Sequence, residues 1–516
     1  MSVKKPFVIH PIFMALYPII FLYAHNIDIM PASSIAFPLA ITLVSTLLVW
    51  LSLGLLMRDI VKSGLIISLF LFVFFSYGHT HQLLSEWIVK DMGAANEITG
   101  RFIQHQNQDL FWPLMMAYFF FTAAMVVCIV KTRRQLFNLT KIMNVIMAAL
   151  FFFSVANIVV HRFKISGIFP RQSQEVPMVS EGHADQMPDI YYIILDGYGR
   201  DDILKEYFGY DNSEFTAFLQ EKGFYVASKS RTNFVWTYLS LASSLNYQYI
   251  NNLSDLLGKD SCDREIAYAM IKKNKVSQFL KAAGYRYVHF DSTWGATHSN
   301  PFADIEIYCE KNIFQDDFMR QLVSTTILRF WEEPVKVDLV SSHLHAFSML
   351  ETVAEWEGPK FVFMHMIPPH HPYLFDREGN IKRHAYISNQ FEFHKHLWGE
   401  KDQYIDQLIF ITKKIKAAIQ TILDKSKTPP IIILQSDHGP ILKNSPRGDY
   451  LKARTAILNA FFLPGETNFL YDTITPVNTF RLIFNHYFNT SLPLLPDETF
   501  YSKYRRPWDF TRIRKE

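Results

Sequence analysis

The feature that most constrains this chain is where its long apolar runs lie: all of them fall before residue 162. A helix needs about 20 apolar residues to cross roughly 30 Å of hydrocarbon. Runs near that length cover Phe7–Tyr23, Ile35–Met57, Leu65–Leu84, Leu110–Val130 and Ile142–Val160. They predict about five membrane spans. Lys4, Lys5, Arg58, Lys62, Lys131, Arg133, Arg134 and Lys141 sit in one set of connecting segments, whereas the alternate set holds only Lys90 and Arg101. Basic residues stay on the cytoplasmic side, so the N-terminus is expected there. An odd number of spans then places everything after Val160 outside, in the periplasm or extracellular space. The first run also has signal-peptide traits, with Lys4 and Lys5 before it and Ala32, Ser33 and Ser34 after it; we read it as an uncleaved helix.

The remaining two thirds are different. Of 516 residues, 49% are hydrophobic and 19% charged, which excludes a disordered chain. A net charge of +3 offers no clustered basic face for nucleic acid. Residues 162–188 carry Pro170, Pro177, Gly182 and Pro188 among polar neighbours and read as a linker. Beyond it, apolar strands at Ile190–Leu195, Arg286–Phe290, Lys360–Met366 and Pro430–Gln435 alternate with amphipathic stretches such as Ala267–Ala283 and Tyr404–Leu423. That pattern predicts an α/β domain over 189–497, a mostly parallel sheet sandwiched by helices. Residues 498–516, with Arg505, Arg506, Arg512 and Arg514, are expected as a basic C-terminal tail. Of three cysteines, Cys128 falls in a span, while Cys262 and Cys309 are exported and free to form one disulfide.

Ligands of such sheets bind beyond the carboxyl ends of the strands. Two ends carry chemistry: the strand from Ile190 runs into Asp196-Gly197, and the strand from Ile431 runs into Ser436-Asp437-His438-Gly439. Either Asp-Gly pattern alone reads equally well as a turn. Together, two carboxylates and an imidazole suit one divalent ion, zinc, manganese or magnesium. Between them, Asn233 to Asn246 reads as a loop entering a helix with hydroxyls in its first turns. A hydroxyl at a helix N-terminus is placed to act on an anionic group; Thr237 is the first choice and Ser240 the second. The competing reading is an ordinary capping threonine.

Asp196 after the first strand, the helix opened by Thr237, and the Asp437-His438-Gly439 end resemble the alkaline phosphatase superfamily, in its sulfatase-like branch. With membrane spans ahead of an exported domain, the chain is similar to lipoteichoic acid synthases and lipid A phosphoethanolamine transferases. The resemblance implies one metal held by Asp196, Thr237, Asp437 and His438. Glu usually occupies the first of these positions in those two groups, so Asp196 is a departure. The segment His365 to Tyr373 resembles a His-x-Pro-aromatic element whose histidine contacts substrate phosphate. His370 fits that spacing best; His365 and His371 read either as second ligands or as polar neighbours, with a hydrogen-bonded core histidine the favoured reading of His365 on its apolar strand. His289, Asp291 and Trp294 fall where the synthases contact a head group. Arg454 suits either a bidentate phosphate contact or a solvent-facing salt bridge.

A sulfatase of the usual kind needs Cys or Ser in a Cys/Ser-x-Pro-x-Arg sequence, and neither Cys262 nor Cys309 has one. Threonine beside a metal suits phosphoryl chemistry. The expected function is therefore a membrane-anchored phosphotransferase that moves a phospho-head group from a phospholipid donor to an envelope glycan or lipid through phospho-Thr237. A phosphodiesterase or phosphatase on the same fold is the alternative within the class, and a non-catalytic envelope scaffold is the alternative outside it.

Overall fold

The computed structural model describes residues 6–27, 30, 32–91, 98–166, 187–292, 294–308, 317–382, 400–465 and 467–514. Most of the expected linker lies outside these, as does Cys309 and with it the expected Cys262 pairing. The chain forms two compact units, one of residues 1–167 with 316–333 and one of 168–315 with 334–516.

In the first unit the helices are α1 (His10–His25), α2 (Ala36–Met57), α3 (Ile60–Asp91), α4 (Ile98–Lys131) and α5 (Phe137–Ser166). Four of these, α2 to α5, are long and apolar enough to cross a membrane. The expected first span is a shorter helix: α1 has 16 residues, which at the helical rise cover about 24 Å. It is also well enclosed, with His10, Ala15, Ile19 and Tyr23 buried. Asn144 of α5 holds its start, since Asn144 Oδ1 accepts the amides of Ile9 and His10 at 3.1 and 2.9 Å. By contrast α2 and α5 expose Leu48, Leu55, Val145 and Phe153, a surface that suits lipid rather than water. Residues 316–333, expected inside the catalytic domain, cluster with this first unit. Phe318 and Leu322 pack there against Ile19, Tyr23 and Phe75.

The second unit contains, in order, β1 (Ile190–Leu195), α6 (Asp201–Phe208), α7 (Ser213–Glu221), β2 (Tyr225–Val226), α8 (Thr237–Ser244), α9 (Leu253–Leu257), α10 (Glu265–Lys272), α11 (Lys275–Ala282), β3 (Arg286–Phe290) and β4 (Ile305–Ile307). After α12 (Asp317–Thr325), which belongs to the first unit, it resumes with α13 (Glu333–Val353), β5 (Lys360–Met366), α14 (Lys401–Lys425), β6 (Ile431–Gln435), α15 (Arg447–Thr455), β7 (Asn459–Phe462), α16 (Pro476–Tyr487), β8 (Thr499–Lys503) and β9 (Arg506–Ile513).

Among the described residues the main sheet has the order β2-β7-β6-β1-β5-β3-β4. Strands β4, β3, β5, β1 and β6 run parallel, and β7 and β2 close one edge antiparallel. All four expected strands are present, and every residue of β1, β5 and β6 is buried, as a sheet covered on both faces requires. The stretch Ala267–Ala283, read as one amphipathic segment, is two helices. Asn274 caps the second, its Oδ1 accepting the Ser277 amide at 2.7 Å. The expected basic tail is corrected too: β8 and β9 form a hairpin in which Trp508 is fully buried and donates its indole N–H to Asp263 O at 2.7 Å.

Candidate active site

Because β1 lies between β5 and β6, the carboxyl ends of these three strands are adjacent and deliver Asp196, the loop from Met366 to His371, and Ser436 to His438 to one place. Gly197 turns the chain after Asp196 at φ +73°, and its amide donates to Asp437 Oδ1 at 3.1 Å. At Gly439 the backbone runs so close to α15 that a Cβ would lie 1.9 Å from Ala453 O. Gln407 of α14, unremarked in the sequence, pins the histidine loop: its Oε1 accepts the Leu374 amide at 2.6 Å and its Nε2 donates to His370 O at 2.8 Å. Tyr404, one turn earlier, donates to Gly197 O at 2.9 Å.

The four expected metal ligands converge. Thr237 opens α8 and its Oγ1 lies 3.1 Å from His438 Nε2. Asp437 Oδ2 and Asp196 Oδ1 lie 3.2 and 3.5 Å from the same nitrogen. His438 Nδ1 faces Gly439 O at 3.1 Å and His370 Nδ1 faces His371 O at 2.7 Å. A carbonyl only accepts, so both rings carry their proton on Nδ1 and present a lone pair at Nε2.

His365, favoured from sequence as a core histidine, also reaches the cluster. Its Nδ1 bonds Thr297 Oγ1 at 2.8 Å, as a core histidine would, but its Nε2 points at Asp196 Oδ2 at 3.5 Å. A histidine in an apolar strand gives no signal that separates these roles. His371 lies against His370, with ring centroids 4.1 Å apart and the ring planes tilted by 41°. Trp294 meets the His365 ring edge-on at 5.6 Å, and Asp291 pairs with His298 at 2.9 Å. His289 is tied to Glu306 at 2.8 Å and takes no part in the cluster's contacts. Arg454 is buried, with Nε and Nη1 donating to Val235 O and Gly439 O, each at 3.0 Å. Burial rules out the solvent-facing salt bridge, and these bonds tie the turn before α8 to the Gly439 loop.

Charge is unevenly distributed. Burial drives the Asp437 carboxyl up to about 7, assisted by the neighbouring Asp196 carboxylate. Burial acts on Asp196 in the same direction, yet His370, His365 and His438 together outweigh it and hold this carboxyl well below the usual range. Burial, followed by the Arg454 charge, pushes the His438 imidazole far down. His370 is lowered by burial too, with Asp196 opposing and Arg454 reinforcing. His370 and His438 are thus neutral at pH 7.

Three buried atoms in this cluster, Asp196 Oδ1, Asp437 Oδ2 and His365 Nε2, lack a hydrogen-bond partner. Buried carboxylate oxygens without a donor are costly; a divalent cation satisfies all three. Two ligand groups have the required spacing, Asp196 with His370 and His438, and Asp196 with His365 and Asp437, all donor atoms of each group lying within 4.8 Å of one another. The residues present therefore fit a divalent metal.

No protein family matches the chain by sequence, and no curated protein does. Among solved structures, the chain is similar to the C-terminal periplasmic domain of EcEptC from Escherichia coli in complex with Zn, at 10% identity over 60% of this chain and 86% of that one, with a TM-score of 0.40. It is similar also to the C-terminal periplasmic domain of phosphoethanolamine transferase EptC from Campylobacter jejuni, at 11% identity over 58% and 90%, TM-score 0.35. Lipooligosaccharide phosphoethanolamine transferase A from Neisseria meningitidis, an integral membrane protein, matches at 11% identity over 88% of each chain, TM-score 0.34.

Proposed function

We propose that this chain is a membrane-anchored, metal-dependent phosphotransferase whose nucleophile is Thr237. The observation that carries the reading is the position of Thr237 Oγ1, 3.1 Å from His438 Nε2, at the rim of a buried Asp and His cluster with orphaned carboxylate oxygens. Asp196, Asp437 and His438, with His370 or His365, would hold the ion. Bound there, a divalent metal lowers the pKa of a hydroxyl and offsets charge developing on phosphoryl oxygens. Thr237 sits in the first turn of α8, where free amides and the helix dipole favour an anion. Its oxygen attacks the phosphorus of a diester and gives up its proton, the bond from phosphorus to the leaving oxygen breaks and that oxygen leaves as the alcohol after taking up a proton. An acceptor hydroxyl later attacks the same phosphorus, losing its proton as the bond to Thr237 Oγ1 breaks and the threonine hydroxyl is restored. His370, on its Gln407-supported loop, would offer its Nε2 lone pair to the ion. Arg454 supplies fixed positive charge while orienting the Val235 and Gly439 carbonyls.

The apolar helices of the same chain support a phospholipid donor and an envelope glycan or lipid acceptor. The distribution of Lys and Arg supports a cytoplasmic N-terminus and a catalytic unit on the outer face, provided that α1 crosses the bilayer along with the other four helices. In the purified full chain loaded with zinc or manganese, Thr237→Ala should lower phosphodiester turnover by at least about a thousandfold with metal content unchanged. Wild-type turnover in that variant would sink the assignment. Release of free phosphate or head group to water would identify a hydrolase, and a chain that takes up no divalent metal would point to a scaffold.

A further inference from the structure

We propose that the C-terminal hairpin, acting through Tyr504 and Arg264, is the positioning element for the nucleophile turn; this rests on Thr237 being the nucleophile. Helix α8 has only 8 residues, and its N-cap, Trp236, makes no side-chain capping bond. So short a helix is marginal without tertiary support, and its first turn has to place one oxygen against the metal cluster. The hairpin provides that support almost residue by residue. Thr499 Oγ1 donates to Thr232 O at 2.8 Å, and the Phe500 amide donates to Asn233 O at 2.8 Å. Phe234 stacks on Phe500 with centroids 5.7 Å apart. The Trp236 indole donates to Ser502 O at 2.9 Å and its ring meets the Tyr504 ring at 5.1 Å.

On the far side of Thr237 the link is Arg264. Its guanidinium lies 4.1 Å from the Tyr504 ring centroid and 4.7 Å from that of Tyr238. Nη1 donates to Tyr504 Oη at 2.9 Å and Nη2 to Tyr504 O at 3.2 Å. Arg264 is only 9% exposed and has no carboxylate within ion-pair distance among the described residues. Burying a guanidinium without a counter-ion is expensive. What this one gains is the simultaneous hold on the residue after Thr237 and on the tip of the hairpin. Trp236 and Tyr238 are thus clamped by one residue, Tyr504, directly and through Arg264, and Thr237 between them is left facing His438. The basic segment read from sequence as a tail is the back wall of the nucleophile.

The test uses Tyr504→Ala in the detergent-purified full chain, with hydrogen exchange of peptides spanning 232–241 and turnover of bis(4-nitrophenyl) phosphate. Expected are exchange at least about tenfold faster in 232–241 with β1, β5 and β6 unchanged, and kcat lower by about 10- to 100-fold, with KM within about twofold. Tyr504→Phe, which keeps the ring, should recover most of both. Unchanged protection of 232–241, or protection lost equally across β1, β5 and β6, overturns the inference, as does wild-type kcat in a Tyr504→Ala chain with loosened exchange. Should Tyr504→Ala not fold, Arg264→Lys takes its place, with the same readouts and an intermediate effect expected. Thr237→Ala at wild-type turnover would instead overturn the nucleophile reading, and the exchange result alone then decides the hairpin's role.

Discussion

Replacing Gln407 with leucine keeps volume and removes two strong hydrogen bonds from a fully buried side chain, one to the Leu374 amide at 2.6 Å and one to His370 O at 2.8 Å. Each backbone group left buried and unpaired costs roughly 1 to 3 kcal/mol. Partial relaxation and the gain from an apolar side chain reduce the sum to about 3 kcal/mol, a shift of about a hundredfold in an unfolding constant. The same bonds fix the loop that carries His370, so divalent metal should bind about tenfold more weakly, the usual effect of losing a group that orients a ligand. Gln407→Glu sharpens the test, because it retains the acceptor but sets a carboxylate against the His370 and Pro369 carbonyls; it should lose at least as much. Urea denaturation of the full chain in detergent and metal competition against a chelator measure both effects. Wild-type stability and wild-type metal affinity in Gln407→Leu would refute the reasoning.

At Gly439, a methyl 1.9 Å from Ala453 O and 2.7 Å from Ala456 O forces α15 and the His438 loop apart; Gly439→Ala should cost about 3 kcal/mol and reduce turnover by about a hundredfold, measured by denaturation and phosphodiester kinetics. His343 is lowered to about 4, by burial first and then by His365, with Asp291 opposing. Its folded pKa lies below its unfolded one, so the unfolded chain binds the extra proton. Stability is intact above about 6.5 and falls as the pH drops towards 4, a loss of about 2 kcal/mol by pH 5. His343→Leu should remove that part of the acid sensitivity in unfolding titrations.

The strand ends were legible because local signals agreed there: buried runs of β-formers finish in Asp196-Gly197 and Asp437-His438-Gly439, and parallel strands bring such ends together. Thr237 was readable from the loop-to-helix pattern around it. Three features were not. The placement of His365, between core and cluster, could not be decided from its apolar strand, because it depends on register across β5 and on Thr297, far away in sequence. Gln407 looks like any polar residue of an amphipathic helix, although it is buried. The segment around Phe318 carries no mark that it packs with Ile19 and Tyr23. The hairpin is different, since Trp508 and Phe510 alternate with polar residues at strand period, whereas its arginines are equally typical of a tail. The length of α1, 16 residues, shows how an apolar run can satisfy a span count and still form a helix shorter than the bilayer core.

The measurement that bears most directly on the central claim is peptide mass spectrometry of the metal-loaded full chain after incubation with phospholipid vesicles. A phosphoryl or phospho-head-group adduct on Thr237, absent from Thr237→Ala and from chelator-treated protein, is the expected result. Turnover of the lipid with the adduct on Ser240 or another residue, or turnover unaffected by Thr237→Ala, would contradict it.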